Sequence, residues 1–197
     1  MTHVGGTPTR TVAAWAALSA LIAALLMAAG PAASSADAAT ACKRFGDTPL
    51  IQLRNRPARK SIVCLVNKER KQKGLSRLDS NRKLQKASQK HNELMVDKKC
   101  FAHECPGEPA LDARLRNVGY LGGGLTRWAY GENIAWGEKG MSTPKSIMNA
   151  WMNSAGHRAN ILSPLFKEIG VGVSDGTPYS KNAKGGTFTT DFGLAQG

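Results

Sequence analysis

The sequence predicts an α+β domain, and three observations carry that expectation. Two stretches, 58–74 and 80–95, repeat apolar residues at helical spacing. Two strand-like runs, 168–174 and 187–194, gather late in the chain. No internal repeat interleaves them, so the order is helices first and strands afterwards, not alternating βαβ units.

The first segment reads as an export address. Arg10 supplies a positive start, residues 12–29 are apolar and alanine-rich, and Ala36-Asp37-Ala38 offers the small-x-small pattern of a cleavage site. A membrane anchor of about 18 apolar residues is the competing reading, and the abundance of small residues favours cleavage. Residues 1–38 are therefore expected to be a signal peptide, which takes His3 with it. Residues 39–57 follow as an N-terminal arm and 58–197 as the folded domain, with no membrane-spanning segment after the leader.

The four cysteines, Cys42, Cys64, Cys100 and Cys105, allow three pairings. An oxidising compartment favours disulfides. Cys100–Cys105 would close a short loop around His103, and Cys42–Cys64 would pin the arm to the first helix. A zinc site built from Cys100, His103 and Cys105 is the alternative.

In the first helix, 58–74, Ile62, Val63, Leu65 and Val66 form the apolar side and Gly74 the stop. Ser80 or Asn81 caps the second, where Leu84, Ala87, Ser88, His91, Leu94 and Met95 make an inward stripe. His91 on that stripe reads as a packed, hydrogen-bonded core residue. Pro109 opens a third helix ending before Gly119. Gly122-Gly123-Gly124 is a loop without the strand-then-helix flanks of a phosphate cradle. Thr143-Pro144 starts a fourth helix reaching about Met152.

Charge is unevenly spread. Residues 42–99 hold 17 Lys/Arg against 5 Asp/Glu, whereas residues 100–197 hold 9 against 8. A basic exported surface meets anionic lipid, envelope polyanion or simply solvent. No aromatics interleave with the basic residues, as a single-strand nucleic-acid binder requires.

The chemistry-bearing residues concentrate in 101–162: Phe101-Ala102-His103, Gly131-Glu132-Asn133-Ile134-Ala135, and Trp151-Met152-Asn153-Ser154-Ala155-Gly156-His157-Arg158-Ala159-Asn160-Ile161-Leu162. Imidazole and carboxylate are the groups that bind divalent metals or move protons near neutral pH. Together with Leu65-Val66-Asn67-Lys68-Glu69-Arg70 and Gly74-Leu75, these motifs resemble the CAP superfamily of cysteine-rich secretory, antigen 5 and pathogenesis-related proteins, in its bacterial secreted form. The resemblance runs from about residue 61 to 192. It implies a three-layer α-β-α sandwich with a central, mostly antiparallel sheet flanked by about four helices.

The resemblance also implies a groove with two histidines and two acids, which binds zinc or another divalent ion in some members. His103, Glu132 and His157 match three of those positions, and Ser154 stands where animal and plant members carry the second glutamate. His103, His157 and Glu132 are thus the candidate metal ligands, with Glu104 and Glu108 as candidate replacements for the missing acid. The competing reading makes the three a buried bracing network. Nearby, Trp151 and Met152 read as core, and Trp128, Tyr130 and Trp136 as groove or rim. Asn133 and Asn160 are expected to hold backbone turns, Arg158 to pair with a carboxylate, and Gly131 and Gly156 to permit close approach.

Three function classes follow. The first is a secreted, non-enzymatic binding module for a small apolar, lipid or peptide ligand, which the resemblance favours. The second is a metal-assisted hydrolase, and against it stand the absence of HExxH and GxSxG and the missing acid. The third is a basic envelope protein that binds anionic cell-wall polymer, with Lys83, Lys86 and Lys90 on its surface.

Overall fold

The computed structural model describes residues 2–6, 42 and 44–197. Residues 2–6 (Thr2–Gly6) form β1, and the rest of the stretch read as leader lies outside the described residues. Then come α1 (Asn55–Gln72), β2 (Asp79–Ser80), α2 (Arg82–Asp97), α3 (Leu111–Asn117) and β3 (Arg127–Glu138). The chain ends with α4 (Pro144–Asn153), α5 (Ala155–Ile161), β4 (Glu168–Asp175) and β5 (Gly185–Gln196). No described helix is long and apolar enough to cross a membrane.

The strands form one sheet in the order β1-β3-β5-β4-β2, antiparallel except where β2 runs parallel to β4. Helices cover both faces. Gly170 and Gly172 of β4 and the polar side chains Thr189 and Asp191 of β5 face α2. Ile169, Val171, Val173, Phe188 and Phe192 pack with Leu50, Ile62, Val66, Ile147, Trp151 and Phe166 as the main core. This is the three-layer α-β-α arrangement that the sequence led one to expect.

Local chemistry sets the elements. Asn81 caps α2, accepting from the Lys83 and Leu84 N–H groups at 2.8 and 3.2 Å. Thr143 caps α4, accepting from the Ser146 N–H at 3.0 Å. Gly74, with φ of +69°, takes the left-handed turn after α1. Two glycines of β4 let α2 lie directly on the sheet: a Cβ at Gly170 would collide with the Leu84–Gln85 backbone, and one at Gly172 with Ser88.

Disulfides join Cys42 to Cys64 and Cys100 to Cys105, so these thiolates do not form a zinc site. Four elements go beyond the expected set: β1, the two-residue β2, β3 and α5. β3 occupies a stretch of Gly, Glu and Asn that carries no clear strand signal, and α5 follows α4 after a break at Ser154.

Candidate functional site

Four elements converge on Glu132. β3 presents it toward α2, opposite Asp191 of β5 in the antiparallel register. His91 comes from α2, Arg114 from α3, and His103 and Glu108 from in and beside the loop closed by Cys100–Cys105. Glu132 and Asp191 are 2% and 0% exposed.

The contacts around this carboxylate are close. His103 Nδ1 lies 2.8 Å from Glu132 Oε1, and Arg114 Nη2 lies 3.0 Å from Oε2. Arg114 Nη2 also donates to the His103 carbonyl at 2.9 Å. Asp191 stands opposite Glu132 in the sheet register, fully buried. Behind them, His91 Nδ1 lies 2.8 Å from Glu108 Oε1, while His91 Nε2 faces Glu132 Oε1 at 3.8 Å. Glu108 also accepts from the Cys105 N–H at 3.2 Å, which ties the disulfide loop to the network.

Burial governs the protonation states. Desolvation pushes His91 down from 6.5 to about 4, with the Arg114 charge adding to it, so the ring is neutral and donates from Nδ1 to Glu108. His103 is also lowered, by burial first and Arg114 among the lesser causes. It is therefore a neutral imidazole whose Nδ1–H donates to Glu132, leaving Nε2 as an acceptor on a side chain that is 44% exposed. Burial raises Glu132 from 4.5 to about 7 against the pull of Arg114. Asp191 is raised well above its ordinary value by burial and then by Glu132.

His157 lies on α5, half-buried, and its proton affinity is lowered by burial and then by repulsion from His103. Its segment is held firmly. Asn133 Nδ2 donates to the His157 carbonyl at 3.0 Å, and Asn160 Nδ2 donates to the Glu132 carbonyl at 3.1 Å. These two asparagines lace α5 onto β3 instead of holding the backbone of turns of their own. Gly131 makes room for that lacing, since a Cβ there would press on Asn160 and Phe166. Ser154 sits at the break between α4 and α5, partly exposed, and its side chain makes no capping bond.

The residues present do not suit a metal ion. One oxygen of Glu132 is taken by His103 and the other by a guanidinium, which is itself a cation in the place a dication would need. Among the described residues no three His, Cys, Asp or Glu side chains are placed to hold a metal. Glu108 is buried in the network through His91, and Glu104 is exposed.

Several neighbouring expectations hold and others are corrected. His91 is the buried, hydrogen-bonded core histidine expected of the α2 stripe. Trp151 is core, and its Nε1–H donates to the Ile134 carbonyl at 3.1 Å. Tyr130 is buried in the cluster of Leu84, Leu115 and Tyr120, with Trp128 stacked on it, and does not form a groove rim. Trp136 is at the surface, edge-on to Tyr179. Arg158 donates to the Met152 carbonyl at 2.7 Å instead of pairing with a carboxylate. Gly156 has open space where a Cβ would stand.

Asp191, Arg114 and the participation of His91 were not legible as site features, whereas Glu108 was a candidate acid from the sequence. One signal was available for Asp191: a lone carboxylate inside an otherwise Thr/Phe strand with an inward-facing position.

Comparison with known proteins places this geometry. The family model described as CAP, the cysteine-rich secretory protein family, matches residues 63–192. YkwD of Bacillus subtilis (strain 168), an uncharacterized protein, is 37% identical over 123 residues, 62% of this chain and 45% of its own length. The uncharacterized membrane protein YlbC of the same organism is 30% identical over 123 residues, 62% of this chain and 33% of its own. The chain thus spans less than half the length of these curated relatives.

Among solved structures, an extracellular protein containing an SCP domain from Bacillus anthracis str. Ames aligns with a TM-score of 0.57 and 26% identity, covering 73% of this chain and 41% of its own. A cysteine-rich secretory protein from Staphylococcus aureus subsp. aureus Mu50 aligns at 0.53 and 20% identity, covering 73% and 40%, which speaks for the fold alone.

Proposed function

The chain belongs to the CAP family of cysteine-rich secretory proteins, and from that premise we propose that it is an exported, non-enzymatic binding module. Its ligand-contacting groove presents His103 and His157, with Ser154 at the edge, to a small apolar, lipid or peptide ligand. The observation that carries this reading is the full engagement of Glu132. Its carboxylate is 2% exposed, with one oxygen bonded to His103 and the other paired with Arg114, so it offers no open face to a substrate or a metal. What the network offers outward is a fixed, neutral imidazole. His103 Nε2 is a hydrogen-bond acceptor, and Phe101, 39% exposed, stands two residues away in the same disulfide-closed loop. An acceptor and an exposed phenyl ring in one loop suit a ligand with one donor on an apolar body. Export is supported by the leader-like sequence, the two disulfides and the extracellular character named for a similar structure.

A hydrolase is the second reading, because a histidine anchored through Nδ1 on a buried carboxylate, with Nε2 exposed, is the geometry of a general base. It lacks a partner: His103 has no Ser, Thr or Cys side chain among the hydrogen bonds of the described residues.

The deciding experiment is organic extraction of the protein purified from culture medium, with mass spectrometry of the extract, for the unaltered chain and for His103→Ala. An apolar compound present in the first and absent from the second supports the binding module. An empty extract, together with ester or peptide hydrolysis that disappears in His103→Ala, overturns it in favour of the hydrolase.

A further inference from the structure

At the edge of the sheet away from Glu132, a pocket of about 350 Å³ opens between α1, the start of α2 and β4. Its charge is of one sign. Arg56, Arg59 and Lys60 reach it from a single face of α1, at i, i+3 and i+4, and Arg82 reaches it from the first turn of α2. No Asp or Glu lines it, and among the described residues none of these four cations takes part in an ion pair. Glu168, the carboxylate closest in sequence to the lining strand, is turned away. It accepts from Asn81 Nδ2 and from Tyr120 O–H, both at 2.7 Å, and lines a neighbouring cavity.

Arg59 is the most telling of the four. It is half-buried, and burial lowers its proton affinity. Its contact is to a neutral amide oxygen, Gln89 Oε1, at 3.3 Å. A guanidinium taken partly out of water without a carboxylate is a poor structural choice and a good recognition group, because its fork matches two oxygens of a phosphate.

The strand edge beneath contributes too. β2 is only two residues long, so it leaves β4 uncovered beyond Ile169. The Ile169 carbonyl accepts from the Asn81 N–H, and both backbone groups of Val173 are satisfied by the Gln89 side chain. Val171 lies between them, turns its backbone to the same edge by strand alternation, and lines the pocket. The N-terminal amides of α2 are not the attraction, since Asn81 already caps them. Val63, Ile169 and Val171 give the floor an apolar patch large enough for a short carbon body beside the anion.

We propose that this pocket binds a phosphate-bearing anion, a phosphomonoester or phosphodiester with a small apolar or neutral body, through Arg56, Arg59, Lys60 and Arg82. The site is separate from the His103 groove.

The test uses the full chain with three probes: inorganic phosphate, glycerol 3-phosphate, and vesicles of phosphatidylglycerol. Amide and arginine Nε–H shifts are followed by NMR for the soluble probes, and sedimentation for the vesicles. Arg59→Gln/Arg82→Gln is compared with Lys71→Gln/Lys184→Gln, which removes the same charge elsewhere on the surface. We expect saturable shifts at Ser80, Arg82, Gln85 and Val171 with glycerol 3-phosphate. Affinity should weaken at least tenfold, about 1.4 kcal/mol, in the pocket variant and stay unchanged in the control. Binding confined to vesicles but still lost in the pocket variant supports the same site with a lipid headgroup as the source. Equal loss in both variants, or no saturable binding with any probe, overturns the proposal.

Discussion

Glu132 of β3 and Asp191 of β5 stand directly opposite one another in the sheet, both buried, and burial raises the proton affinity of each. Two like charges at this separation in a low-dielectric site cannot both ionise cheaply. Arg114 offsets the one that does.

The linked protons give stability a pH dependence of known sign. Both folded-state carboxyl affinities are raised, so their contribution is fully present below the ordinary carboxyl range. It is lost as pH rises from 4.5 through about 7 for Glu132, and further for Asp191. His91 acts in the opposite sense: lowered from 6.5 to about 4, its contribution is complete above 6.5 and is lost as pH falls toward 4. Asp191→Asn keeps the shape and removes one raised carboxyl, while His91 drops out of the difference. The variant should therefore gain on the unaltered chain as pH rises across that window, with a slope approaching about 1.4 kcal/mol per pH unit for each proton involved. Urea unfolding at several pH values reads this directly, and parallel profiles would sink the account of a raised Asp191 carboxyl.

The same carboxylate fixes the tautomer of His103. Long-range proton–nitrogen NMR at neutral pH should show His103 neutral, with the proton on Nδ1. Glu132→Gln removes the ion pair to Arg114 and leaves the guanidinium with the His103 carbonyl and the more distant carboxylate of Glu108, at 3.6 Å. Removing one member of a buried charge pair costs about 3–5 kcal/mol, so the melting temperature should fall sharply. The His103 signals should broaden or divide between two tautomers. A variant with unchanged stability and an unchanged His103 spectrum would show that the network does not brace the ring.

Close contact between α2 and β4 is the next liability. Gly170→Ala and Gly172→Ala each drive a methyl group into helix backbone, not into the end of a movable side chain. Overpacking of this kind costs about 1–3 kcal/mol, and more where the obstacle is backbone. Gly156→Ala, where space is open and the residue is helical, should be neutral or slightly stabilising. Chemical denaturation of the three variants tests the contrast, and a cost at Gly156 equal to that at Gly170 would contradict it.

What could be read from the chain followed from how local each signal was. α1, α2, α4, β4 and β5 announce themselves through apolar period, Asn81 and Thr143 caps, and flanking turns. β3 did not, because a strand buried on both faces loses its alternation, and Gly131 and Gly137 read as turn residues. His103, Glu132 and His157 were found through motifs. Asp191 and Arg114 reach Glu132 from a distant strand and from α3, and only the tertiary arrangement makes them partners. The fit of the candidate metal ligands was hidden for the same reason, because no sequence pattern placed a guanidinium beside Glu132.

The Leu65–Arg70 motif acquires a physical reason that supports a last prediction. Asn67 grips the Leu78 backbone on both sides, accepting from its N–H at 2.7 Å and donating to its carbonyl at 3.0 Å. One turn later Arg70, 0% exposed, donates to the carbonyls of Ser76, Ile161 and Ser163 at 2.8 to 2.9 Å. It thereby ties the end of α1 to the end of α5, the helix that carries His157. Among the described residues it has no carboxylate partner, so its charge is satisfied by carbonyl dipoles alone and burial lowers its proton affinity. Hydrogen bonds to a charged donor are worth about 1.5–3 kcal/mol each, but desolvation of the guanidinium offsets part of the sum. Arg70→Lys keeps the charge and loses the fork, so one ammonium cannot serve both ends of the clamp. Arg70→Met keeps much of the volume and orphans three carbonyls. Both variants should be destabilised by about 3 kcal/mol, with hydrogen exchange at the amides of α5 rising more than at those of α2. If Arg70→Met instead matched or exceeded the unaltered chain in urea unfolding, desolvation would outweigh the hydrogen bonds, and Arg70 would serve to position α5 and not to stabilise the fold.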